Sequence, residues 1–128
     1  MKNLLFIAVG GALGTLSRYG ISKFVNQATG AWFPWGTMTV NFIGLFIIGF
    51  LFELFDRSIL SPQTRSFAII GFLGGFTTFS SYGMETINLF RDGETGLGLL
   101  NIVLSNVIGL FLVVAGIILA RIVIKTFS

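Results

Sequence analysis

The 128-residue sequence contains neither cysteine nor histidine. Their absence excludes disulfide bonds, metal sites built from thiolates or imidazoles, cysteine nucleophiles and histidine-based catalytic triads. Charge is also scarce, because 8 lysine and arginine residues and 5 aspartate and glutamate residues make up only 10% of the chain. Soluble domains carry about 25% charged residues, so this chain cannot cover a water-facing surface. Its net charge of +3 is too thinly spread for a nucleic-acid interface.

Long uncharged stretches make up most of the chain, and the mean hydropathy is +0.92. Charged residues are missing from residues 3–17, 24–52, 66–84 and 95–120. A helix of about 20 apolar residues crosses a bilayer core, and Arg18 and Lys23 can reach the interface from the first stretch. The sequence therefore predicts an all-α membrane protein, one domain over residues 1–128. Its four transmembrane helices are expected near 3–23, 35–56, 65–90 and 97–122.

The first apolar stretch has a second interpretation. Lys2, the short apolar run after it and the small residues up to Gly14 are also typical of a secretory signal peptide. We favour a transmembrane helix because the helical pattern continues beyond Gly14 to Arg18.

The positive charges are nearly balanced between the two ends of the predicted spans. Positive residues concentrate in cytoplasmic loops, but five residues against three set the orientation only weakly. Two outcomes stay open: a weak preference for both termini inside, or insertion in both orientations to give antiparallel partners. The five residues are Lys2, Arg57, Arg65, Arg121 and Lys125, and the three are Arg18, Lys23 and Arg91.

Four helices are too few to enclose a pore. A four-helix bundle packs its interior solidly, so any conduction path should lie between copies of the chain. The 17 glycines, about twice ordinary usage, favour close contacts between helices. Gly10 and Gly14 form one GxxxG pair, and Gly71 and Gly75 form another. Each pair fits packing either within one subunit or between subunits.

The third predicted span contains a segment that is poorly suited to a continuous helix. Gly74 and Gly75 are followed by Thr77 and Thr78, and both glycine and β-branched threonine lower helix stability. A helix broken at membrane depth frees backbone carbonyls that can coordinate cations. The alternative is a glycine kink that serves packing, with its carbonyls bonded by serine or threonine. Either way, the sequence predicts an interrupted third helix.

Aromatic residues follow this segment at helical spacing. Phe76, Phe79 and Tyr82 are three residues apart, which places them near one helix face. The edge of an aromatic ring is partially positive and can contact an anion. The alternative is that these rings face lipid or the protein core.

Polar residues interrupt the second and fourth spans. Asn41 lies near the middle of the second span, and Asn101 and Ser105 are spaced i, i+4 in the fourth. An amide N–H can replace water around an anion. The alternative is that these side chains hydrogen-bond between helices, as Asn and Ser commonly do in membranes.

Glu85 and Arg18 are the ionisable residues of most interest. We expect Glu85 to be the only carboxylate deep within a span. Ionisable groups within a membrane usually have a function. Glu85 could be a proton or cation site, could cap a vestibule, or could pair with Arg18. Because Arg18 lies at the end of the first span, we expect it to anchor that helix at the membrane interface.

Three motifs occur in order: GGALGTLSRY at 10–19, GTMTVNFIG at 36–44 and GFLGGFTTFSSYGME at 71–85. Together they resemble the Fluc (CrcB) family of bacterial fluoride channels over nearly the whole chain, and the third motif is the most specific. The resemblance implies passive fluoride efflux that lowers cytoplasmic fluoride. It implies a dual-topology antiparallel homodimer in the bacterial plasma membrane, with two pores lined by both subunits and one central structural sodium ion.

The resemblance also implies roles for individual residues. The sodium ligands would be the backbone carbonyls of Gly74 and Thr77. Three positions depart from the family pattern: Tyr82 replaces a common phenylalanine, Gly109 replaces a hydroxyl residue one turn after Ser105, and Leu45 replaces a common serine. Fluoride itself follows only from the resemblance. The residues that match the fluoride pore are Asn41, Phe79, Tyr82, Ser105, Glu85 and Arg18.

Two other kinds of protein fit the same span count. A small proton-coupled exporter of cationic drugs or guanidinium compounds is also four-spanned and often dual-topology. It typically uses a carboxylate in the first span, and this first span has none. A non-transporting assembly subunit would not need the Gly-Gly-Phe-Thr-Thr break. An enzyme is not expected, because the sequence offers no nucleophile–base pair or metal cluster.

Overall fold

The computed structural model describes residues 2–127, and over this range the chain forms helices joined by short turns. Four stretches are long and apolar enough to cross a membrane: Lys2–Thr29, Trp35–Asp56, Pro62–Arg91 and Thr95–Phe127. The prediction of four spans with an interrupted third is therefore confirmed. The elements are α1 (Lys2–Thr29), α2 (Trp35–Asp56), α3 (Pro62–Arg65), a π-helical segment (Ser66–Leu73), α4 (Gly74–Phe76), α5 (Phe79–Arg91) and α6 (Thr95–Phe127).

The helix α1 is longer than predicted and is unbroken across Gly14. It continues to Thr29, and Gly30 follows at a φ of +80°. Glycine adopts this left-handed conformation without strain and is the usual residue after a helix end. Lys23, expected at the membrane interface, is therefore followed by nearly two further helical turns.

The turn into α2 is held by a side chain from α1. Pro34 immediately precedes α2, and the Oδ1 atom of Asn26 accepts a hydrogen bond from the Gly36 N–H at 2.9 Å. This bond satisfies one of the free amide groups at the start of α2. Position 36 has no room for a larger residue, because an added Cβ would lie 2.6 Å from the Ser22 carbonyl oxygen. Close contact between α1 and α2 therefore begins at this turn.

The break in the third span lies at the threonines rather than at the double glycine. Gly74 and Gly75 are helical, whereas Thr77 and Thr78 are extended, with ψ of 155° and 118°. Thr77 donates from Oγ1 to the Leu73 carbonyl at 2.9 Å and closes α4. Thr78 Oγ1 accepts from the Ser81 N–H at 3.2 Å and caps the start of α5. The two hydroxyl groups thus finish one helix and start the next.

Both GxxxG pairs serve packing within one chain. An added Cβ at Gly10 would meet the Phe67 carbonyl oxygen, and one at Gly14 would meet that of Phe72. On the opposite side, a Cβ at Gly75 would lie 2.6 Å from a carbonyl oxygen of α1. These glycines let the backbones of α1 and the third span touch. Of the two roles left open for the pairs, packing within the subunit is the one observed.

The helices α2 and α6 pack against each other along most of their length. An added Cβ at Gly49 would meet the Val113 carbonyl oxygen, and one at Gly116 would meet that of Phe46. The backbones therefore approach closely through glycine on both sides. The apolar cluster that is fully buried in a single chain is small, with Val40, Leu73 and Phe76 at its centre. Most other apolar side chains face outwards, as expected for a chain surrounded by lipid or by another copy.

A buried carboxylate lies near the C-terminal end of α2. Glu53 Oε1 lies 2.8 Å from Arg57 Nε and 3.1 Å from Arg121 Nε, so it links the end of α2 to α6. Glu53 is buried although it lies in the last turn of α2, close to Asp56 and Arg57, where a carboxylate normally reaches water. It lies near the end of its helix and not deep in the span, so it does not contradict the prediction made for Glu85.

Candidate functional site

A cavity of about 450 Å³ lies where α2 and α6 meet the break in the third span. Its polar lining comes from the break, from the middle of α2 and from one face of α6. Leucine and isoleucine side chains of α2, α6 and the π-helical segment line the rest. Six of the eight residues predicted for the pore and the sodium site line this cavity: Asn41, Gly74, Thr77, Phe79, Tyr82 and Ser105.

Asn41 holds the break through a pair of hydrogen bonds to one residue. Its Oδ1 accepts from the Thr78 N–H at 2.8 Å, and its Nδ2 donates to the Thr78 carbonyl oxygen at 3.0 Å. In a continuous helix the Thr78 N–H would donate to the Gly74 carbonyl oxygen. Because it donates to Asn41 instead, the Gly74 oxygen loses its helical partner. A side chain of α2 therefore takes the place of the helical hydrogen bond at the break.

This arrangement changes the role expected for Asn41. We predicted its amide as a donor to an anion, but one of its two N–H groups donates to Thr78. A single N–H is left for any further ligand. Asn41 thus first holds the cavity wall in place and can contribute only one donor to the cavity.

The aromatic pair of α5 stands at the mouth of the cavity. The ring centroids of Phe79 and Tyr82 are 5.4 Å apart and the rings are tilted by 38°. Phe79 is 82% exposed in the single chain, so one side of its ring has no protein contact. The Tyr82 hydroxyl accepts a hydrogen bond from Asn106 Nδ2 at 3.2 Å. The tyrosine that departs from the family pattern therefore uses its extra hydroxyl to join α5 to α6.

A chain of polar side chains connects α6 to α5 beside the cavity. Ser105 Oγ donates to Asn101 Oδ1 at 3.3 Å, and Asn101 Nδ2 donates to Thr86 Oγ1 at 2.9 Å. Thr86 in turn donates to the Tyr82 carbonyl oxygen at 2.7 Å. Asn101 is fully buried and bonds between helices, the alternative we had left open for it. Ser105 lines the cavity, and its hydroxyl must rotate away from Asn101 to donate to a ligand.

Glu85 and Arg18 lie outside this cavity and do not pair with each other. Glu85 Oε1 accepts from Thr37 Oγ1 at 2.7 Å, and its buried Oε2 has no hydrogen-bond partner among the described residues. It lines a second cavity of about 230 Å³ next to Trp32 and Asp92. Arg18 donates from Nη1 to the Thr77 carbonyl oxygen at 3.4 Å. Of the roles considered for Glu85, this position fits the vestibule best, whereas Arg18 reaches the break rather than serving only as an anchor.

The carbonyls of Gly74 and Thr77 fit part of a cation site. The Gly74 oxygen has lost its helical partner to Asn41, and Gly74 is exposed on the outside of the single chain. Hard cations are held by several oxygen ligands, so two carbonyls from one chain are too few to enclose one. The Arg18 guanidinium beside the Thr77 oxygen competes for one of these two ligands. A complete site would need equivalent carbonyls from a second copy.

Comparison with known proteins places the chain in a family. Residues 5–117 match the family model described as CrcB-like protein, Camphor Resistance (CrcB). The chain belongs to the CrcB family. A relative from Citrifermentans bemidjiense, described as fluoride-specific ion channel FluC, is 48% identical to this chain over 94% of its length and 98% of the relative. Relatives with the same description from Desulforapulum autotrophicum and Thermus thermophilus are 45% and 47% identical, covering 93% and 91% of this chain and 96% and 93% of the relatives.

Membership of the CrcB family confirms the resemblance drawn from the three motifs. These relatives are described as channels and not as enzymes. The matched region includes all three motifs and ends in the second half of α6. The cavity and the break are therefore both formed by residues within the part of the chain that defines the family.

Sequence reasoning placed Thr78 at the break without giving it a role in the site, and it missed Thr86 and Asn106. Thr78 caps α5 and is held by Asn41, Thr86 continues the polar chain, and Asn106 bonds Tyr82. A signal for Thr78 was present, because a threonine before a new helical run is a typical N-cap. A signal for Asn106 was also present, because it is a second polar residue beside Ser105 in an apolar helix. Thr86 had none, since it follows Glu85 on an ordinary amphipathic helix.

We predict that Asn41→Ala destabilises the break. The variant leaves the buried Thr78 N–H and carbonyl without their partner, which should cost about 1–3 kcal/mol. The measurements are thermal unfolding in detergent and hydrogen exchange of the Thr78 amide, which should become faster. Asn106→Ala is the matched control, because Asn106 lies in the same cavity wall and does not contact Thr78. Unchanged exchange at Thr78 in Asn41→Ala would contradict the role assigned to Asn41.

Proposed function

We infer that this chain is a fluoride-selective ion channel that lets fluoride leave the cell passively and so lowers cytoplasmic fluoride. The observation that carries this conclusion is the similarity of nearly the whole chain to several relatives described as fluoride-specific ion channels. The polar cavity beside a broken transmembrane helix supports it, because irregular backbone at membrane depth is tolerated where it lines a cavity or is buried in protein. The proton-coupled exporter is less well supported, because among residues 2–127 no carboxylate lines the polar cavity at the break.

We propose that the working channel is an antiparallel homodimer with two pores. The conduction cavity of one chain is open on its outer side, where Phe79 is 82% exposed and Asn106 is also exposed. Polar groups facing lipid are unfavourable, so a second copy that covers this side completes the wall. The near balance of positive charge, five residues against three, permits insertion in both orientations. In such a dimer the two copies are related by a two-fold axis and inserted in opposite orientations. One pore then runs along the cavity of each copy.

In this mechanism fluoride moves along neutral groups. The remaining Asn41 N–H, the rotatable Ser105 hydroxyl and the edges of the Phe79 and Tyr82 rings supply partial positive charge that replaces water around the ion. Conduction requires contacts that are favourable enough to admit an ion and weak enough to release it. No full positive charge lines the cavity in residues 2–127. We assign Glu85 to a vestibule at one end of the path. Arg18 reaches the Thr77 carbonyl at the break but does not line the cavity, so its charge attracts an anion without holding it.

We further propose that a sodium ion is bound where two copies meet at their breaks. The Gly74 and Thr77 carbonyl oxygens of each chain would hold it, since carbonyls at discontinuous helices are suitable ligands for sodium. The released Gly74 oxygen and the exposure of Gly74 support this placement. With two ligands from each copy the ion would link the copies, so its role is structural and it is not the transported species.

We expect purified protein in liposomes to release fluoride quickly and without a proton gradient. The liposomes contain potassium fluoride, valinomycin supplies a matching potassium pathway, and a fluoride electrode records the release. A channel needs no coupling ion, so collapsing the proton gradient should not slow the release. Protein-free liposomes are the control. The channel function is refuted by an absence of fluoride release, or by release that stops when the proton gradient is removed.

We expect Phe79→Ile to slow fluoride release by about fivefold, because it removes a partially positive ring edge, and a contact of about 1 kcal/mol corresponds to that factor. Phe24→Ile is the matched control, since Phe24 is 71% exposed on α1 and does not line the cavity. Both variants are compared with the original protein in the same liposome assay at equal reconstituted dimer. A normal rate for Phe79→Ile would remove Phe79 from the conduction path.

We expect removal of sodium to weaken the dimer. The protein is purified in parallel in sodium chloride and in N-methylglucamine chloride, and the dimer fraction is measured by native mass spectrometry or light scattering. If the Gly74 and Thr77 carbonyls of two copies share an ion, the dimer fraction and the unfolding temperature should fall without sodium. Equal values in both salts would rule out the sodium site, and a monomer in both salts would rule out the dimer.

A further inference from the structure

A cluster of one carboxylate and two guanidinium groups lies at one end of the bundle. Glu53 contacts both Arg57 and Arg121 through the single oxygen Oε1, at 2.8 Å and 3.1 Å from the two Nε atoms. The Glu53 side chain is 7% exposed, whereas those of Arg57 and Arg121 are 49% and 60% exposed. The carboxylate is therefore covered by its partners, and the two guanidinium groups form the outer surface of the cluster.

The cluster retains positive charge and unused donors. One carboxylate neutralises only one of the two arginines, which leaves the group formally at +1. Each guanidinium has five N–H donors in a planar fork, and contact through Nε leaves most of them for another acceptor. Two guanidinium groups would repel each other without a shared anion, so Glu53 keeps them side by side. Lys125 lies one turn beyond Arg121 on α6 and offsets the exposed Asp56 that precedes Arg57, so this end stays positive.

The position of the cluster corresponds to the headgroup region of a bilayer. The helix α6 has 33 residues and at about 1.5 Å per residue is about 50 Å long. Arg121 lies about 39 Å from Thr95 along this helix, which exceeds the bilayer hydrocarbon core of about 30 Å, so Arg121 fits the headgroup region. Ile118 and Ile122 flank Arg121 on α6, and Phe52 adjoins Glu53; all three are exposed. Exposed apolar side chains therefore lie before and after Arg121 on α6 and next to Glu53 on α2.

We propose that Arg57 and Arg121, held together by Glu53, bind the phosphate group of an anionic phospholipid. The guanidinium fork matches phosphate oxygens in pairs, and basic pockets between transmembrane helices on one side of the membrane are suited to lipid headgroups. Free phosphate offers the same oxygens, but only a lipid also contacts Ile118 and Ile122 with its acyl chains. The cluster is separate from the conduction cavity, whose lining includes none of its three charged residues.

The test measures lipid retained by the purified full-length protein. The protein in detergent is mixed with equal amounts of phosphatidylglycerol and phosphatidylcholine of the same acyl chains, and native mass spectrometry counts each bound lipid. We expect preferential retention of phosphatidylglycerol. Arg121→Gln should weaken it by about fivefold, the loss expected for one cation near an anionic headgroup. Arg65→Gln is the matched control, because Arg65 is exposed at the same end and lies outside the cluster.

A second variant covers the case in which Arg121→Gln fails to fold. Arg121→Lys keeps a positive charge beside Glu53 but lacks the planar fork, so it should retain the fold and still bind phosphatidylglycerol more weakly than the original protein. Equal retention of the two lipids, equal losses in Arg65→Gln and Arg121→Gln, or full retention in Arg121→Lys would each overturn the proposal. So would displacement of the lipid by millimolar inorganic phosphate, since that result assigns the site to free phosphate.

Discussion

The pair of hydrogen bonds between Asn41 and Thr78 is the interaction on which the rest of the site depends. A transmembrane helix normally cannot release its backbone groups, because hydrocarbon offers them no partner. Here one carboxamide from α2 accepts the Thr78 N–H and donates to the Thr78 carbonyl. The third span can therefore stop at Phe76 and restart at Phe79 without leaving Thr78 unsatisfied. The open wall of the cavity and the released Gly74 oxygen both follow from this replacement.

The remaining polar residues keep the cavity in shape while leaving its lining neutral. Hydrogen bonds from Ser105 through Asn101 to Thr86 fix α6 against α5, and the bond from Asn106 to Tyr82 fastens the same two helices nearer the opening. Buried polar groups that are all bonded to one another define one arrangement of the helices. A lining of dipoles and ring edges suits an ion that must pass rather than stay. Hydrogen bonds between polar side chains thus hold the helices in place, while the groups that line the cavity offer an ion only weak contacts.

Acidic and basic side chains lie outside this lining in the part of the chain that the structure describes. Glu85 bonds to Thr37 beside the second cavity, and Glu53 lies with its two arginines at the end of α2. An ionised group in a membrane is stable only with a partner or near water, and each of these carboxylates has a hydrogen-bond partner. Arg18 comes closer to the cavity than these carboxylates, because it reaches the Thr77 carbonyl at the break. Among the described residues, ionisable side chains therefore lie outside the cavity lining, and Arg18 alone reaches the break behind it.

Composition and the spacing of charges determined that the chain has four apolar spans, because the exclusion of charge from hydrocarbon depends on each stretch by itself. The weak helix formers around Thr77 determined that the third span is interrupted, and the three motifs determined the family. Six of the eight residues expected at the pore and the sodium site were also found around one cavity. Only the tertiary structure decided where the break falls, what Asn41 bonds and that Glu53 is buried. Asn41 and Thr78 are 37 residues apart, and such pairings arise from how helices pack, which local sequence preferences do not contain.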